Sequence, residues 1–405
     1  MDTEATLATH KPRTRSGAIP KTAAYYLAFV ALGTNGAVLG PTLSGLAEHT
    51  QTQLSQISLL FTAGWLGYLF GSFLGGRLYD RKLGHPVMAA SLIVMAAMLA
   101  LAPLPTFFWL LFAVFLILGI AQGTLDVGGN TLLVWVHTDD VTPYMNGLHF
   151  FFGLGATLSP FIIAQAMLHS GDITWAYWTL AVLMLPAAVW LLRLRSPAIQ
   201  SESQDGLIRP IDHRLLALIV MFCIFLVGTE VSFGGWIFSY AVATDLGGET
   251  TAAYLTSVFW GTFTLGRLLA IPVAFRLRPS AIMLGGLVGC LISLSIIFLW
   301  PNSSAALWLG TIGMGLSMAP IFPTAISFVE RRMSITGRVI GWFFVGASLG
   351  SMSMPWLIGQ LFEPIGPQAA LIIMLIDMLL ALSIYVAIKL RFPDINLDSV
   401  EQRAS

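Results

Sequence analysis

The sequence predicts an all-α polytopic membrane protein: twelve transmembrane helices arranged as two pseudo-symmetric six-helix bundles. Three observations carry that prediction. Of 405 residues, 56% are apolar and only 10% charged, against about 25% charged in soluble chains, so there are too few ionised groups to cover a water-facing surface. Twelve apolar runs near the roughly 20-residue length needed to cross a bilayer are separated by short polar connections. Their apolarity is continuous, which excludes barrel strands alternating with period two. Finally, small and polar residues recur at a nearly constant offset: Gly33-Thr34 and Gly228-Thr229 stand 195 apart, as do Gly71 and Gly266, Pro160 and Pro355, and Gln165 and Gln360, while Gly119 with Gly313 and Gly147 with Gly341 stand 194 apart. Zero net charge gives no electrostatic case for a nucleic-acid partner.

In chain order, residues 1–21 form a polar tail, and spans at 22–43, 54–78, 86–103, 107–136, 144–168 and 174–193 make an N-terminal bundle over 22–193. Residues 194–213, rich in Ser, Pro, Asp and Gln, read as a linker. Spans at 214–241, 251–274, 280–300, 304–329, 337–360 and 367–390 make a C-terminal bundle over 214–390, and 391–405 is a tail. With these spans Lys11, Arg13, Arg15, Lys21, Arg81, Lys82, Arg195, Arg209, Arg276, Arg278, Arg331, Arg332, Lys389, Arg391 and Arg403 all fall on one side. The opposite loops, around Glu48, Asp172, Asp245, Asn302 and Glu363, hold no Lys or Arg. The positive-inside rule then puts both termini, the linker and both tails in the cytoplasm. The acidic loop 137–140 must share that side without contributing to the count. A polar stretch of about twenty residues before the first span, with no small-residue cleavage pattern, argues against a removable signal. Cys223 and Cys290 lie in apolar runs and read as small core residues, so neither a disulfide framework nor a metal site is expected.

Ionisable side chains inside a bilayer cost at least about 2.5–3.5 kcal/mol on insertion scales, so each needs a partner or a task. Gln122, Asp126 and Asn130 follow at spacing i, i+4, i+8 and share one stripe of helix 4. Asp126 is a candidate coupling carboxylate, with Gln122 and Asn130 as substrate contacts; the competing reading is a packing hydrogen bond beside Gly123, Gly128 and Gly129. Glu230 in helix 7 is the second candidate coupling acid, and its repeat mate is Asn35 in helix 1, a candidate substrate contact. The run Ser232-Phe233-Gly234-Gly235-Trp236 contains poor helix formers, a place for helix 7 to unwind, the competing reading being a Glu230 hydrogen-bonded inside the bundle with glycines for close packing. Trp236 is a candidate platform for a sugar ring or equally a packing residue. His149 opens an aromatic stretch of helix 5 and is a candidate contact, though packing is the commoner duty of such a histidine. Arg267 is expected to pair with Glu330 near the inner face and hold a gate between the bundles, a direct substrate role being the alternative. Asp377 in helix 12, and Trp260 and Trp342, read as packing residues.

The stretch Gly76-Arg77-Leu78-Tyr79-Asp80-Arg81-Lys82-Leu83-Gly84-His85 resembles the cytoplasmic signature of the major facilitator superfamily, with one extra residue before Gly84 and His85 where the family has a basic residue. That resemblance implies the major facilitator fold and a gate role for Asp80, Arg81 and Gly84. Leu125-Asp126-Val127-Gly128-Gly129-Asn130 resembles the fucose permease pattern, and Leu148-His149-Phe150-Phe151-Phe152-Gly153 and Gly228-Thr229-Glu230-Val231-Ser232-Phe233-Gly234-Gly235-Trp236 look like the neighbouring sodium-dependent glucose transporter-like group. Ala37 stands where fucose permeases carry a helix 1 acid, which leaves Glu230 as the second carboxylate. The expectation is a secondary active transporter in the plasma (inner) membrane, not an enzyme, taking up a hexose-like sugar with H⁺ or Na⁺ as coupling ion, without a cofactor and as a monomer in the lipid bilayer. Two rivals stand beside it: a proton-coupled exporter of drugs or metabolites, whose helix 5 Gly-Pro signature is missing at Ser159-Pro160, and a receptor that binds without translocating.

Overall fold

A computed structural model describes residues 17–79, 81, 84–137, 141–198, 212–333 and 337–392. Among these residues there are fifteen helices and no strand. The N-terminal half contains α1 (Ala18–Gly36), α2 (Leu39–Thr50), α3 (Leu54–Ile57), α4 (Leu59–Tyr79), α5 (Gly84–Leu101), α6 (Phe108–Val136), α7 (Thr142–Ser170) and α8 (Ile173–Arg193). The C-terminal half contains α9 (His213–Ala243), α10 (Glu249–Ala274), α11 (Pro279–Leu299), α12 (Ser304–Met318), α13 (Ile321–Glu330), α14 (Gly337–Ile365) and α15 (Gln368–Arg391). Most of the expected linker and both tails lie outside the described residues.

Ten helical stretches are long and apolar enough to cross a membrane, and α1 with α2 adds an eleventh as a pair bent by 49°. The twelve expected spans are matched in order only when α14 is included. Its 29 residues are long enough to cross, although it is not among those ten stretches. The breaks also fall elsewhere than expected. Helix α9 runs unbroken through Ser232–Trp236 for 31 residues, whereas the bend lies in the first span, where Gly36 ends α1 and Val38 N donates to Asn35 O at 3.4 Å. The glycines of α9 serve close approach instead of unwinding: a Cβ on Gly40 of α2 would come within 2.6 Å of Gly234 O and 3.0 Å of Gly235 Cα. A second interruption, at Ala319-Pro320, separates α12 from α13 because Pro320 cannot donate to the helix ladder.

Helix ends follow local chemistry. Asp172 caps α8 by accepting from Thr174 N at 3.0 Å, and Asp212 caps α9 by accepting from Arg214 N and Leu215 N. Gly171 closes α7 in the left-handed region, φ 69°.

Packing reproduces the 195-residue offset. A side chain on Gly33 of α1 would run into the Phe152 carbonyl of α7, and one on Gly155 of α7 into the Val30 carbonyl of α1. Their mates Gly228 and Gly350 bring α9 and α14 together in the same way, Gly350 against Ile224 O and Gly228 within 3.3 Å of Gly350 O. Small residues that let backbones meet are what holds membrane helices, since lipid gives no hydrophobic drive between them.

Candidate functional site

A cavity of about 190 Å³ lies between the halves, with Asn35, Gln122, Asp126 and Tyr68 on its N-terminal wall and Glu230 and Trp260 on its C-terminal wall. The α1/α2 bend borders it, and the Gly40 contact with Gly234 and Gly235 lies on its rim. Beyond that contact the halves are sealed at the end that carries Glu48, Asp172 and Glu363. Glu363 Oε1 accepts from Leu54 N at 3.0 Å, Gln360 Nε2 donates to Ser55 O at 2.6 Å, Thr62 Oγ1 donates to Met352 O at 3.0 Å, and Gln165 Nε2 donates to Tyr254 OH at 2.5 Å. At the opposite, basic end, Arg77 and Leu78 of α4 and residues 271–278 at the end of α10 are exposed.

Each carboxylate oxygen of Asp126 accepts one side-chain hydrogen bond. Tyr68 OH donates to its Oδ2, and Asn130 Nδ2 donates to its Oδ1 at 2.9 Å while also reaching the Asp126 carbonyl at 2.9 Å. The i, i+4, i+8 stripe thus divides its labour: Gln122 and Asp126 face the cavity, and Asn130 holds the carboxylate from below without being part of the cavity wall. Gln122 Oε1 accepts from Asn35 Nδ2 at 2.8 Å, which ties α1 to α6 across the bend.

Glu230 differs. It lines the cavity but makes no hydrogen bond or ion pair with any described residue. No ion pair among the described residues offsets its charge; Arg267 on α10 acts on Glu230, and on His149, only at longer range and less strongly than burial does. Arg267 lays its guanidinium over the Phe263 ring at 4.7 Å, and its Nε is buried with no hydrogen-bond partner among the described residues.

Several sequence expectations are corrected here. Arg267 does not pair with Glu330, which is exposed at the end of α13; its guanidinium lies over Phe263 instead. Trp236 is no sugar platform. It is fully buried, donates Nε1 to Pro355 O at 3.0 Å and stacks on Phe362 at 4.9 Å, because its face of α9 looks at α14. Its place on the wall is taken by Trp260, which fits because Gly234 opposite has no side chain. His149 is not part of the cavity wall; its ring packs edge-on against Phe29 at 6.2 Å. Asp377 is buried against α9, near Thr229.

Of the proposed gate, Asp80 lies outside the described residues and Arg81 sits in an exposed turn. Gly84 opens α5 against Leu132. His85, in the place of the family's basic residue, acts as a buried staple: its Nε2 meets Tyr25 OH at 2.7 Å, its Nδ1 meets Leu194 O at 3.0 Å, and its backbone N–H donates to Ser196 Oγ at 2.9 Å. Sequence reasoning missed Tyr68 and its neighbour Trp65, both on the wall. The one signal for them is two aromatic rings spaced three apart among Gly64, Gly67 and Gly71. No group of three His, Cys, Asp or Glu side chains that could hold a metal ion occurs among the described residues.

The family model described as Major Facilitator Superfamily matches residues 25–334. Sodium-dependent glucose transporter 1A of Mus musculus is 33% identical over 374 residues, covering 83% of this chain and 88% of the relative. Sodium-dependent glucose transporter 1 of Homo sapiens is 33% identical over 371 residues, covering 82% and 72%. These belong to the group that the helix 5 and helix 7 motifs resemble. In fold the chain is similar to the crystal structure of the nucleoside transporter NupG, with a TM-score of 0.70 at 16% identity over 91% of this chain and 97% of that one. With a membrane-spanning helical repeat, a cavity between its halves and a matching family model over most of its length, the chain belongs to the Major Facilitator Superfamily of transporters.

Proposed function

We propose that the protein takes up a hexose-like sugar by alternating access, driven by H⁺ or Na⁺ loaded at Asp126, in the plasma membrane with both termini cytoplasmic. The observation that carries this reading is the asymmetry of the cavity. Asp126 is held by two neutral donors and forms no ion pair among the described residues, so its charge is uncompensated until an ion arrives. An ion there neutralises the charge and lowers the cost of closing the cavity around it. The carrier then passes between its two openings loaded, and less readily with a bare carboxylate. Amide and carboxylate groups at Asn35, Gln122 and Glu230 match the hydroxyls of a sugar, and Trp260 offers an apolar face to its ring. The printed names of the glucose-transporter relatives point the same way.

The test is uptake in proteoliposomes under imposed H⁺ or Na⁺ gradients. Wild type should accumulate a hexose, and Asp126→Asn should equilibrate it without accumulating it. Undiminished accumulation by Asp126→Asn removes the coupling role. Saturable binding with no flux by wild type replaces transport with a receptor function.

A further inference from the structure

We propose that Tyr68 couples ion loading to substrate binding by reversing its hydrogen bond: its hydroxyl is tied to Asp126 while that acid is empty and is released to a substrate hydroxyl when a cation occupies Asp126. The inference rests on the reading of Asp126 as the loaded acid. It starts from a count of hydrogens and lone pairs. A phenol carries one hydrogen and can also accept. In the structure that hydrogen goes to Asp126 Oδ2, while Oδ1 is taken by Asn130, so the Asp126 carboxylate acts only as an acceptor.

Tyr68 and Asn130 fill two of the roughly four lone-pair sites of the carboxylate, so a proton or a sodium ion can bind beside them. By cancelling the negative charge it turns the charge-assisted bond from Tyr68 into an ordinary one, about half as strong. The phenol hydrogen is then held less tightly and is free to turn to another acceptor, and on a protonated Asp126 the phenol can accept in return. Tyr68 lines the cavity, so a sugar hydroxyl there is within its reach. Asn130 also bonds the Asp126 backbone carbonyl, which keeps the carboxyl in place while Tyr68 turns. The result is thermodynamic coupling: the ion improves substrate affinity by one hydrogen bond, and by reciprocity the substrate improves ion affinity equally.

Other charged groups around the site are Glu230 on α9 across the cavity and Arg267 on α10 behind it. On the remaining neighbours of α6, Tyr25 of α1 and His85 of α5 bond to each other, and His149 of α7 lies against Phe29. Ser72 Oγ, buried one turn after Tyr68 on α4, is the competing acceptor for the released hydrogen.

The experiment measures the hexose Kd of the full-length protein in detergent, in one arm from pH 8 to pH 6 without Na⁺ and in the other at fixed pH with Na⁺ replacing K⁺. Wild type should bind about tenfold more tightly on loading, the worth of one hydrogen bond, and the arm that responds names the ion. Tyr68→Phe should bind weakly with no response in either arm, and Ser72→Ala should respond as wild type does. If wild type responds and Tyr68→Phe responds equally, the proposal is overturned. It is also overturned if the response disappears in Glu230→Gln but persists in Tyr68→Phe. A wild type that binds hexose with no response to either ion overturns the coupling reading of Asp126 itself. Should Tyr68→Phe fail to fold, 3-fluorotyrosine placed at position 68 keeps the ring and hydroxyl. Its ¹⁹F resonance should move on ion loading without sugar, and a resonance that stays fixed overturns the proposal.

Discussion

Asp126 and Glu230 face one cavity from opposite halves and are kept in the membrane by opposite means. The N-terminal acid accepts one side-chain hydrogen bond on each oxygen but has no ion-pair partner among the described residues, whereas the C-terminal acid has no hydrogen bond there but lies in the longer-range field of Arg267. A hydrogen bond satisfies an oxygen without removing its charge; an arginine offsets the charge without occupying the oxygen. The first arrangement leaves a charge for an ion to cancel, and the second leaves oxygens for a ligand to bond. The two halves repeat one scaffold at a 195-residue offset and put it to different uses.

The largest effect should break this comparison outright. Asp126→Asn is expected to abolish gradient-driven accumulation, while Glu230→Gln should keep accumulation and weaken hexose affinity about tenfold, one charge-assisted hydrogen bond, both read in proteoliposome uptake. If Glu230→Gln loses accumulation and Asp126→Asn keeps it, the roles are reversed. Next come the two tryptophans of the C-terminal half. Trp236→Ala should cost about 3–5 kcal/mol in unfolding measurements, as for a large buried ring, because it fills the α9/α14 contact. Trp260→Ala should act mainly on substrate Kd.

A subtler test addresses the field of Arg267. If it compensates Glu230, removing both charges should be milder than removing Arg267 alone. A double-mutant cycle of Arg267→Gln and Glu230→Gln should return a coupling of about 0.5–3 kcal/mol in thermal stability, and additive effects would leave Arg267 without that role.

The smallest effect compares the helix starts at the sealed end. Asp172 caps α8 by accepting from Thr174, whereas its 195-offset mate Pro367 starts α15 with no side-chain cap. Asp172→Ala should cost about 1 kcal/mol. Burial tends to raise the Asp172 pKa, but hydrogen bonds from Thr174 and the charge of His49, 3.9 Å away, outweigh it and hold the carboxyl below its ordinary value. A depressed pKa stabilises the fold above the ordinary aspartate range, and that stability is lost as pH falls through the folded value. The wild type should therefore lose its advantage over Asp172→Ala on acidification, seen as converging melting temperatures.

The spans are legible in the sequence because apolarity sustained over twenty residues is what lipid demands and what a water-facing fold rarely tolerates. Asn35, Gln122, Asp126 and Glu230 are legible because polar groups in lipid are conspicuous. What the sequence hides is of a different kind. Tyr68 is amphipathic, and inside an apolar run its ring conceals the hydroxyl that bonds Asp126. Its position beside Glu230 makes Trp236 the candidate on sequence and leaves Trp260 to packing; only the rotation of α9 against α14 and α10 decides which lines the cavity. The run of weak helix formers in α9 reads as a break until Gly40 is seen packed against it, since one glycine pattern serves unwinding and close approach alike. Depth in the membrane pairs Arg267 with Glu330, but depth does not say in which direction a long side chain turns.

The seal near Glu363 sets an energy scale for the whole molecule. It combines backbone contact at Gly40, ring contacts of Phe61 with Trp236 and of Phe161 with Tyr254, and four hydrogen bonds, and each such bond is worth only about 0.5–1.5 kcal/mol once water can replace it. Moving a two-state population from 1:99 to 99:1 takes about 5.5 kcal/mol of differential binding, which is of the same order as those four bonds together. The hydrogen-bonded part of the closure is therefore within reach of what a bound ion and substrate can supply. One further ion pair in the seal, worth about 0–1 kcal/mol near a surface, would shift that balance only a few-fold, so locking the carrier shut would take several.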